Sequence, residues 1–243
     1  MKTLIVGASG ATGKLLVEEL LSARKEVKII VRPTANIPDT WLYNEQLHII
    51  RGNISEMNLE EMTEIVTDCD GFASCLGHNL TLKGMFGHPR RLVTEAVQLI
   101  SKAISKNNPA KAVKFVLMNT VGNQNRDINE HVSTAQKIVI AVIRTLLPPQ
   151  ADNEKASDYL RLQIGQKNPK IEWVTVRPDA LNNEKTVTEY NLHPSPIRSA
   201  IFNPGETSRI NVAHFMTQLI LDDNLWKEWK GRMPVIYNVE TSI

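Results

Sequence analysis

The amino-acid sequence predicts an α/β fold with a doubly wound parallel sheet, and three observations carry this prediction. Apolar strand-like runs alternate with helical stripes over the first two-thirds of the 243 residues, an order typical of a parallel sheet with helices on both faces. The first run leads directly into three glycines, Gly7, Gly10 and Gly13. The length suits one large domain with a small additional lobe.

Strand and helix positions follow from periodicity and from residues that end each element. Strands are predicted over residues 3–6, 27–31, 47–50, 71–76, 113–118, 171–176 and 235–239. A helical stripe follows Gly10, and another covers residues 92–104. Helices are also predicted over residues 132–147 and 153–166, the first ended by Pro148 and Pro149 because proline cannot continue the hydrogen-bond ladder. A last helix is predicted with Asn211 as its N-cap.

The C-terminal third changes character after Pro178. Residues 179–210 contain several prolines and only short apolar fragments, which predicts an irregular substrate lobe beside the sheet. We expect one domain over residues 1–243 that includes this lobe. Trp173 is expected to lie in the core, and Trp226 and Trp229 are expected to pack the last helix or a partner surface.

The glycine-rich turn predicts a dinucleotide site. A strand ends, the chain turns at Gly7, and a helix begins near Gly10 with its amide hydrogens exposed. The N-terminus of a helix carries partial positive charge, so a pyrophosphate binds there if no Cβ atom blocks its approach. The strand before the glycines and the amphipathic helix after them favour this interpretation over a turn that binds nothing. The sequence therefore predicts a Rossmann fold.

Arg32 indicates which dinucleotide is preferred. It follows the second strand, 19 residues after Gly13, and no acidic residue comes before Asp39. In such folds an acid at this place binds the ribose hydroxyls, whereas an arginine accepts a 2′-phosphate. We therefore expect NADP(H) to be preferred, with NAD(H) as an alternative. The other interpretation of Arg32 is a solvated arginine at a strand end.

Several strand ends resemble those of the atypical short-chain dehydrogenase/reductase family. They are the glycine turn, Val31-Arg32-Pro33, Gly52-Asn53-Ile54, Cys75-Leu76-Gly77 and Val176-Arg177-Pro178. The NmrA-like and flavin-reductase-like branch is the most similar. This resemblance implies that the cofactor contacts a set of residues at these ends: Gly7, Ser9, Gly10, Ala11, Thr12, Gly13, Arg32, Asn53, Ile54, Cys75, Leu76, Gly77, Asn119, Thr120, Lys155 and Pro178.

The sequence departs from this family at its catalytic motif. Ordinary members carry Tyr-x-x-x-Lys, in which the tyrosine exchanges the substrate proton and the lysine binds ribose. If Lys155 is that lysine, the tyrosine position is Ala151, which has no proton to give. The family's serine after the fifth strand falls at Asn119 or Thr120, and Thr120 is left to hydrogen-bond a substrate oxygen. Thr120 and Lys155 are therefore the candidate catalytic residues, and a surface role for Lys155 is the alternative.

Two functions are compatible with this pattern. The first is an oxidoreductase that passes hydride from NADPH to a small planar acceptor, a flavin, quinone or carbonyl; the second is a catalytically silent NADP(H) sensor of the NmrA-like type. Flavins and quinones need no strong protein acid, whereas a carbonyl does. Candidate acids after the fourth strand are His78, Lys83 and His88. Asp152 and Glu154 either orient a polar substrate or simply begin a solvated helix.

Composition and charge limit the expected cellular location and the expected binding partners of the protein. The net charge is +2, from 28 basic and 26 acidic residues, which indicates neither nucleic acid nor a membrane surface as a partner. Cys69 and Cys75 have no disulfide or zinc spacing, so no metal is expected. The absence of a long apolar run or a signal peptide predicts a cytoplasmic protein. A small-molecule acceptor is the expected partner, and a homo-oligomer or a regulatory protein partner remains open.

Overall fold

An eight-stranded sheet forms the centre of the computed structural model, which describes residues 1–78 and 87–239. The strand order is β3-β2-β1-β4-β5-β6-β10-β8. Neighbouring strands are parallel except for β8, which pairs antiparallel with β10 at one edge. This arrangement confirms the predicted α/β class. The sheet strands are β1 Lys2–Val6, β2 Glu26–Val31, β3 Leu47–Arg51, β4 Gly71–Ser74, β5 Val113–Met118, β6 Ile171–Pro178, β8 Tyr190–His193 and β10 Val235–Asn238.

Helices cover both faces of the sheet. They are α1 Ala11–Ser22, α2 Leu59–Val66, α3 Leu92–Asn107, α4 Thr134–Leu146, α5 Pro148–Tyr159, α6 Arg209–Leu221 and α7 Asp223–Trp229. A short 3₁₀ helix covers Asp39–Tyr43, and a π-helical turn, Leu160–Ile164, continues α5. In the described part of the chain, no helix combines the length and apolarity that a membrane span requires.

Two apolar layers fill the space between the helices and the sheet. Leu16, Val17 and Leu20 of α1 are fully buried with the apolar face of α6 in one layer. The second layer joins α2, α3 and α5 to the opposite face of the sheet, around Phe72 and Phe115. Because parallel strands are covered on both faces, β1, β4, β5 and β6 are almost continuously buried. Trp173, Trp226 and Trp229 are buried in these layers, as predicted.

Two helix starts differ from the sequence prediction. The cap of α6 is Ser208, whose hydroxyl accepts a hydrogen bond from the Asn211 amide, so the prediction of Asn211 as N-cap is wrong. Asn211 lies inside the first turn, where its side chain donates to Asn238. Pro148 ends α4 as predicted, but it also begins α5, because proline fits the first turn of a helix without losing a hydrogen bond.

The segment after Pro178 is made of short strands and turns. β7 Ala180–Asn182 and β9 Glu206–Ser208 pair in a separate two-stranded parallel sheet, and β8 extends the central sheet. β6 itself continues through Arg177 and Pro178, which the sequence prediction placed outside the strand. β4 is shorter than predicted and ends at Ser74, which leaves the next residues to line the site described below.

Candidate functional site

The turn after β1 depends on two glycines for backbone packing. Gly7 has a φ of +80°, and a Cβ atom there would lie 2.4 Å from the Cys75 carbonyl carbon. A Cβ atom on Gly13 would lie 2.2 Å from the Gly7 carbonyl oxygen. Both distances are far below van der Waals contact, so these glycines allow β1, α1 and the end of β4 to approach one another.

Gly10 has a different environment. Its φ is −77°, and an added Cβ atom would meet only the Gly7 oxygen, at 3.2 Å. As the cap residue of α1 it provides no side-chain hydrogen bond to the helix, and the first turn contains no acidic residue. The amide hydrogens at the start of α1 therefore lack the usual side-chain acceptor, which is the arrangement that suits an anion.

A cavity of about 620 Å³ opens beside this turn. It lies at the carboxyl ends of β1 to β4, the edge where ligands bind in open parallel sheets. Its volume falls within the range of small-molecule and cofactor sites. Nine of the residues predicted to contact a cofactor line it: Gly7, Ser9, Gly10, Arg32, Asn53, Ile54, Cys75, Leu76 and Gly77. His78, Glu56 and His88 line it as well.

Arg32 extends from the end of β2 into this cavity region with its side chain exposed. Within the described residues, its guanidinium makes no hydrogen bond or ion pair. Arg51, at the end of β3, stabilises the turn that follows Arg32. It donates to the carbonyl oxygens of Pro33 at 3.2 Å and Ala35 at 3.5 Å. Arg51 was not identified from the sequence, and its contacts depend on the β2–β3 register that pairs it with Val31.

The loop after β3 adds an acid that the sequence analysis missed. Glu56 lines the cavity, and its carboxylate accepts a hydrogen bond of 2.9 Å from the Asn53 amide. The same two residues are joined through their backbones. This pairing fixes the Asn53 side chain and occupies one oxygen of Glu56, so the cavity presents one paired carboxylate and the guanidinium of Arg32.

Two side chains follow β4 at the other end of the cavity. Burial raises the pKa of the Cys75 thiol to about 12, and its sulfur contacts that of Met216 at 4.0 Å, so this thiol stays protonated and apolar. The Nε2 atom of His78 lies 2.8 Å from Oδ2 of Asp152, and the two side chains are 4% and 0% exposed. The structure thus brings together a candidate acid and a candidate orienting residue.

Other predicted site residues lie outside the lining of this cavity. Ala11, Thr12 and Gly13 belong to the first turn of α1. Asn119 is buried and donates to the Asn153 carbonyl oxygen, and Thr120 accepts from the Gly122 amide at 3.3 Å. Lys155 is exposed on α5, and Pro178 ends β6. Their roles toward a cofactor or substrate stay predictions, and Lys83 lies outside the described residues.

A second cavity, of about 570 Å³, lies between the loop after β5, α4 and residues 196–199. Its charged lining is mainly basic. Glu154 from α5 forms an ion pair of 2.7 Å with Arg144 across it. The remaining charged residues of its lining are Arg126, Glu130, Lys137 and Arg198. Glu154 lies on the same helix as Asp152, so α5 lines the second cavity and contacts His78 of the first.

Arg177 organises the walls of the second cavity. Its guanidinium is fully buried and forms an ion pair of 2.6 Å with Glu130. It also donates to the carbonyl oxygens of Met233, Asn123 and Pro194. One side chain of β6 therefore joins the loop after β5 to two later segments of the chain, through four hydrogen bonds.

Tyrosines are missing from the lining of both cavities. The sequence has four, and each is placed elsewhere in the structure. Tyr43 ends the 3₁₀ helix and is 86% exposed, and Tyr159 packs against the core. Burial raises the pKa of Tyr190 and of Tyr237 to about 12. Across residues 1–78 and 87–239, no cluster of three metal-ligating side chains is found.

A Rossmann-type sheet with an open helix start beside a cavity of this size defines a dinucleotide-binding protein. The NAD(P)H-binding family matches residues 7–223 of the chain, which therefore belongs to that family. This confirms the resemblance on which the cofactor prediction rests. The comparison with curated proteins gives no match.

Solved structures show the same fold over the whole chain. A short-chain dehydrogenase/reductase from Veillonella parvula in complex with NADP has a TM-score of 0.71 and 17% identity, covering 100% of this chain and 96% of its own. The oxidoreductase ylbE from Lactococcus lactis has a TM-score of 0.69 and 17% identity, with 100% and 93% covered. ChuY, an anaerobilin reductase from Escherichia coli O157:H7, has a TM-score of 0.69 and 13% identity, with 100% of both chains covered.

Proposed function

We propose that this chain is an NADP(H)-dependent oxidoreductase that reduces a small planar acceptor, a flavin, quinone or carbonyl. The observation that supports this most is the single cavity that joins the bare start of α1, Arg32 and the residues after β3 and β4. When bound, the cofactor supplies a hydride to the acceptor. The names of the Veillonella parvula and Escherichia coli proteins agree with this class of reaction.

Different residues of the cavity contact different parts of the cofactor. The amides at the start of α1 face the diphosphate, and Gly10 leaves room for its approach. Arg32 pairs with the 2′-phosphate, and Asn53 and Ile54 contact the adenine. Cys75, Leu76 and Gly77 present their backbone to the nicotinamide ribose. This assignment supports a preference for NADP(H), because Arg32 provides the only guanidinium in the lining of the described cavity.

The test is binding and turnover with the purified chain. Calorimetry compares NADPH with NADH, and the absorbance of the reduced nicotinamide is then followed with FMN, menadione and isatin as acceptors. We expect tighter binding of NADPH and consumption of NADPH with at least one acceptor. Equal affinity for the two cofactors contradicts the preference, and saturable binding without any turnover contradicts the reductase.

A second candidate is a catalytically silent NADP(H) sensor. Ala151 at the motif position and the absence of tyrosines from both cavities favour it, since a silent protein needs no acid. The exposed Lys155 is compatible with it as well. Binding without turnover across the acceptor panel is the result that this candidate predicts.

A further inference from the structure

Glu130, one of the two acids that line the second cavity, is fully paired within the protein. It accepts at both oxygens, from the Arg177 guanidinium at 2.6 Å and from the Asn125 amide at 2.8 Å. Its side chain is 1% exposed. Because the buried guanidinium cancels its charge at close range, Glu130 adds little negative potential to the cavity.

Glu154, the other acid of the lining, brings two guanidiniums together. The Nε atom of Arg144, on α4, lies 2.7 Å from Oε2 of Glu154. The Nη2 atom of Arg126, in the loop after β5, lies 4.0 Å from the same oxygen. The other oxygen of Glu154 accepts from the side chain of Gln150 at 3.2 Å. One carboxylate, 9% exposed, therefore positions two cations at the wall of the cavity.

Most N–H groups of these two guanidiniums have no acceptor in the protein. Arg126 is 52% exposed and Arg144 is 44% exposed. Among residues 1–78 and 87–239, the Arg126 guanidinium and the terminal nitrogens of Arg144 donate no hydrogen bond. A guanidinium stays charged at any physiological pH, and its planar set of donors matches a carboxylate or a phosphate. The two side chains therefore suit an oxyanion ligand.

The charge of the second cavity stays positive when neighbouring acids are included. Asp158 lies 3.6 Å from Arg126, but it also accepts hydrogen bonds of 3.0 and 3.3 Å from Arg161. Lys137, exposed on α4, lines the cavity and forms no ion pair with the described residues. Four Lys or Arg side chains line the cavity against two Glu, and one of these Glu is already balanced by Arg177. The excess of cations attracts an anion.

The second cavity adjoins the first at the same edge of the sheet. Strand β5 pairs in parallel with β4, so the loops that follow them leave the sheet side by side. Residues 75–78 after β4 line the first cavity, and residues 121–124 after β5 line the second. A ligand in the second cavity therefore lies next to a cofactor in the first, where ligands of open parallel sheets bind.

Apolar side chains complete the wall of the second cavity. Val132, Ile140 and Ile197 line it together with the cations. Its volume of about 570 Å³ falls within the range of small-molecule sites. An apolar wall beside guanidiniums with unused donors suits a ring that carries an acidic group.

We propose that the second cavity binds the acceptor and selects one with an oxyanion group, a carboxylate or a phosphate, on a planar apolar ring; this inference rests on the NADP(H)-dependent reductase proposed above. The guanidiniums of Arg126 and Arg144 bind the oxyanion, and Lys137 adds a third positive charge. Glu154 is a positioning residue, because it holds both guanidiniums and weakens their attraction for the ligand.

Matched pairs of acceptors test the selection. Turnover with NADPH is compared for isatin-5-carboxylate against isatin-5-carboxamide, and for FMN against riboflavin. We expect kcat/KM to be about 10- to 100-fold higher for the charged member, the effect of a hydrogen bond to a charged group, and to differ mainly through KM. The isatin pair tests a carboxylate and the flavin pair a phosphate. If neither pair shows a preference, the inference is overturned while the reductase stands.

Two substitutions should change this preference in opposite directions. Arg126→Gln removes a cation and should lower the preference, whereas Glu154→Gln removes the competing carboxylate and should raise it. Arg232→Gln is the control, since this exposed arginine lines neither cavity. NADPH binding to the first cavity shows that each variant is folded. A fall in both variants, which a merely structural role would give, or no change in Arg126→Gln overturns the assignment.

Calorimetry gives a readout that is independent of turnover. Isatin-5-carboxylate and its carboxamide are titrated into the chain saturated with NADP⁺, at low salt and at about 1 M NaCl, where exposed charges are screened beyond about 3 Å. We expect the carboxylate to bind more tightly at low salt and to lose this advantage at high salt. If it does so but no acceptor is reduced, the reductase fails and the anion site stands. Equal affinity of the two probes, or no binding of either, overturns the inference.

Discussion

The two cavities of the molecule are built in different ways. The first, at the ends of β1 to β4, is shaped mainly by backbone: glycines that allow close approach, a helix start without a side-chain cap, and Arg32 beside them. The second is shaped by side chains, with the buried Arg177–Glu130 pair in its wall and the Arg144–Glu154 pair across it.

This difference determines which changes affect stability and which affect binding. The Arg177–Glu130 pair of the second region is long-range and buried, so breaking it leaves a charge without a partner. In the first region, by contrast, the Arg32 side chain is exposed and the amides at the start of α1 have no side-chain acceptor. Substitutions in the two regions should therefore give different ratios of lost stability to lost affinity.

The largest effect is expected from Arg177→Met. It leaves Glu130, whose side chain is 1% exposed, as an uncompensated buried charge, which costs about 3–5 kcal/mol in the free energy of unfolding. Chemical denaturation measures it. The control is Lys106→Met, which removes a surface pair with Glu60 at 3.1 Å and should cost at most about 1 kcal/mol. Equal losses of unfolding free energy in the two variants would show that the buried pair contributes no more to stability than the surface pair does.

The glycines of the first region provide the next contrast. Gly13→Ala forces a methyl group against the Gly7 carbonyl, with an ideal separation of 2.2 Å, and overpacking of this kind costs about 1–3 kcal/mol or more. Gly10→Ala meets one atom at 3.2 Å, so its unfolding free energy should change much less. Thermal and chemical denaturation of the pair test this. A Gly10 variant that unfolds as readily as the Gly13 variant contradicts the division of roles.

Arg32→Ala tests the ligand side of the same region. Loss of a charge-assisted contact with a 2′-phosphate should weaken NADPH binding by about 1.5–3 kcal/mol, with little change for NADH or in stability. Calorimetry with both cofactors measures this. Lys111→Ala removes an exposed cation before β5 and is the control. Arg32 has no phosphate role if NADPH and NADH lose affinity equally.

Ser208→Ala gives the smallest expected effect. The hydroxyl accepts from the Asn211 amide at 3.2 Å and caps α6, and loss of such a cap costs about 1 kcal/mol. Asn211→Ala does not test the cap, because it removes the hydrogen bonds that a buried amide donates to Thr188 and Asn238. Denaturation of Ser208→Ala with no loss of stability would contradict the assignment of the cap.

Local patterns predicted the fold class and most of the first cavity. Strand runs, glycine spacing and strand ends are encoded in neighbouring residues, so Gly7, Arg32 and Asn53 could be placed from the sequence. Glu56, Arg51 and the contact of His78 with Asp152 could not, because they depend on strand register or on contacts between distant segments. The antiparallel β8 was missed for the same reason: its four residues carry no strong periodicity, and only pairing with β10 makes them a strand.

The measurement that tests the central claim most directly is calorimetric titration of NADPH into the wild-type chain and into Gly10→Val, with circular dichroism to show that both are folded. The account predicts saturable binding to the wild type and a large loss of affinity in the variant, because its side chain fills the approach to the amides of α1. Undiminished affinity in Gly10→Val, or no saturable heat with either NADPH or NADH in the wild type, would contradict it.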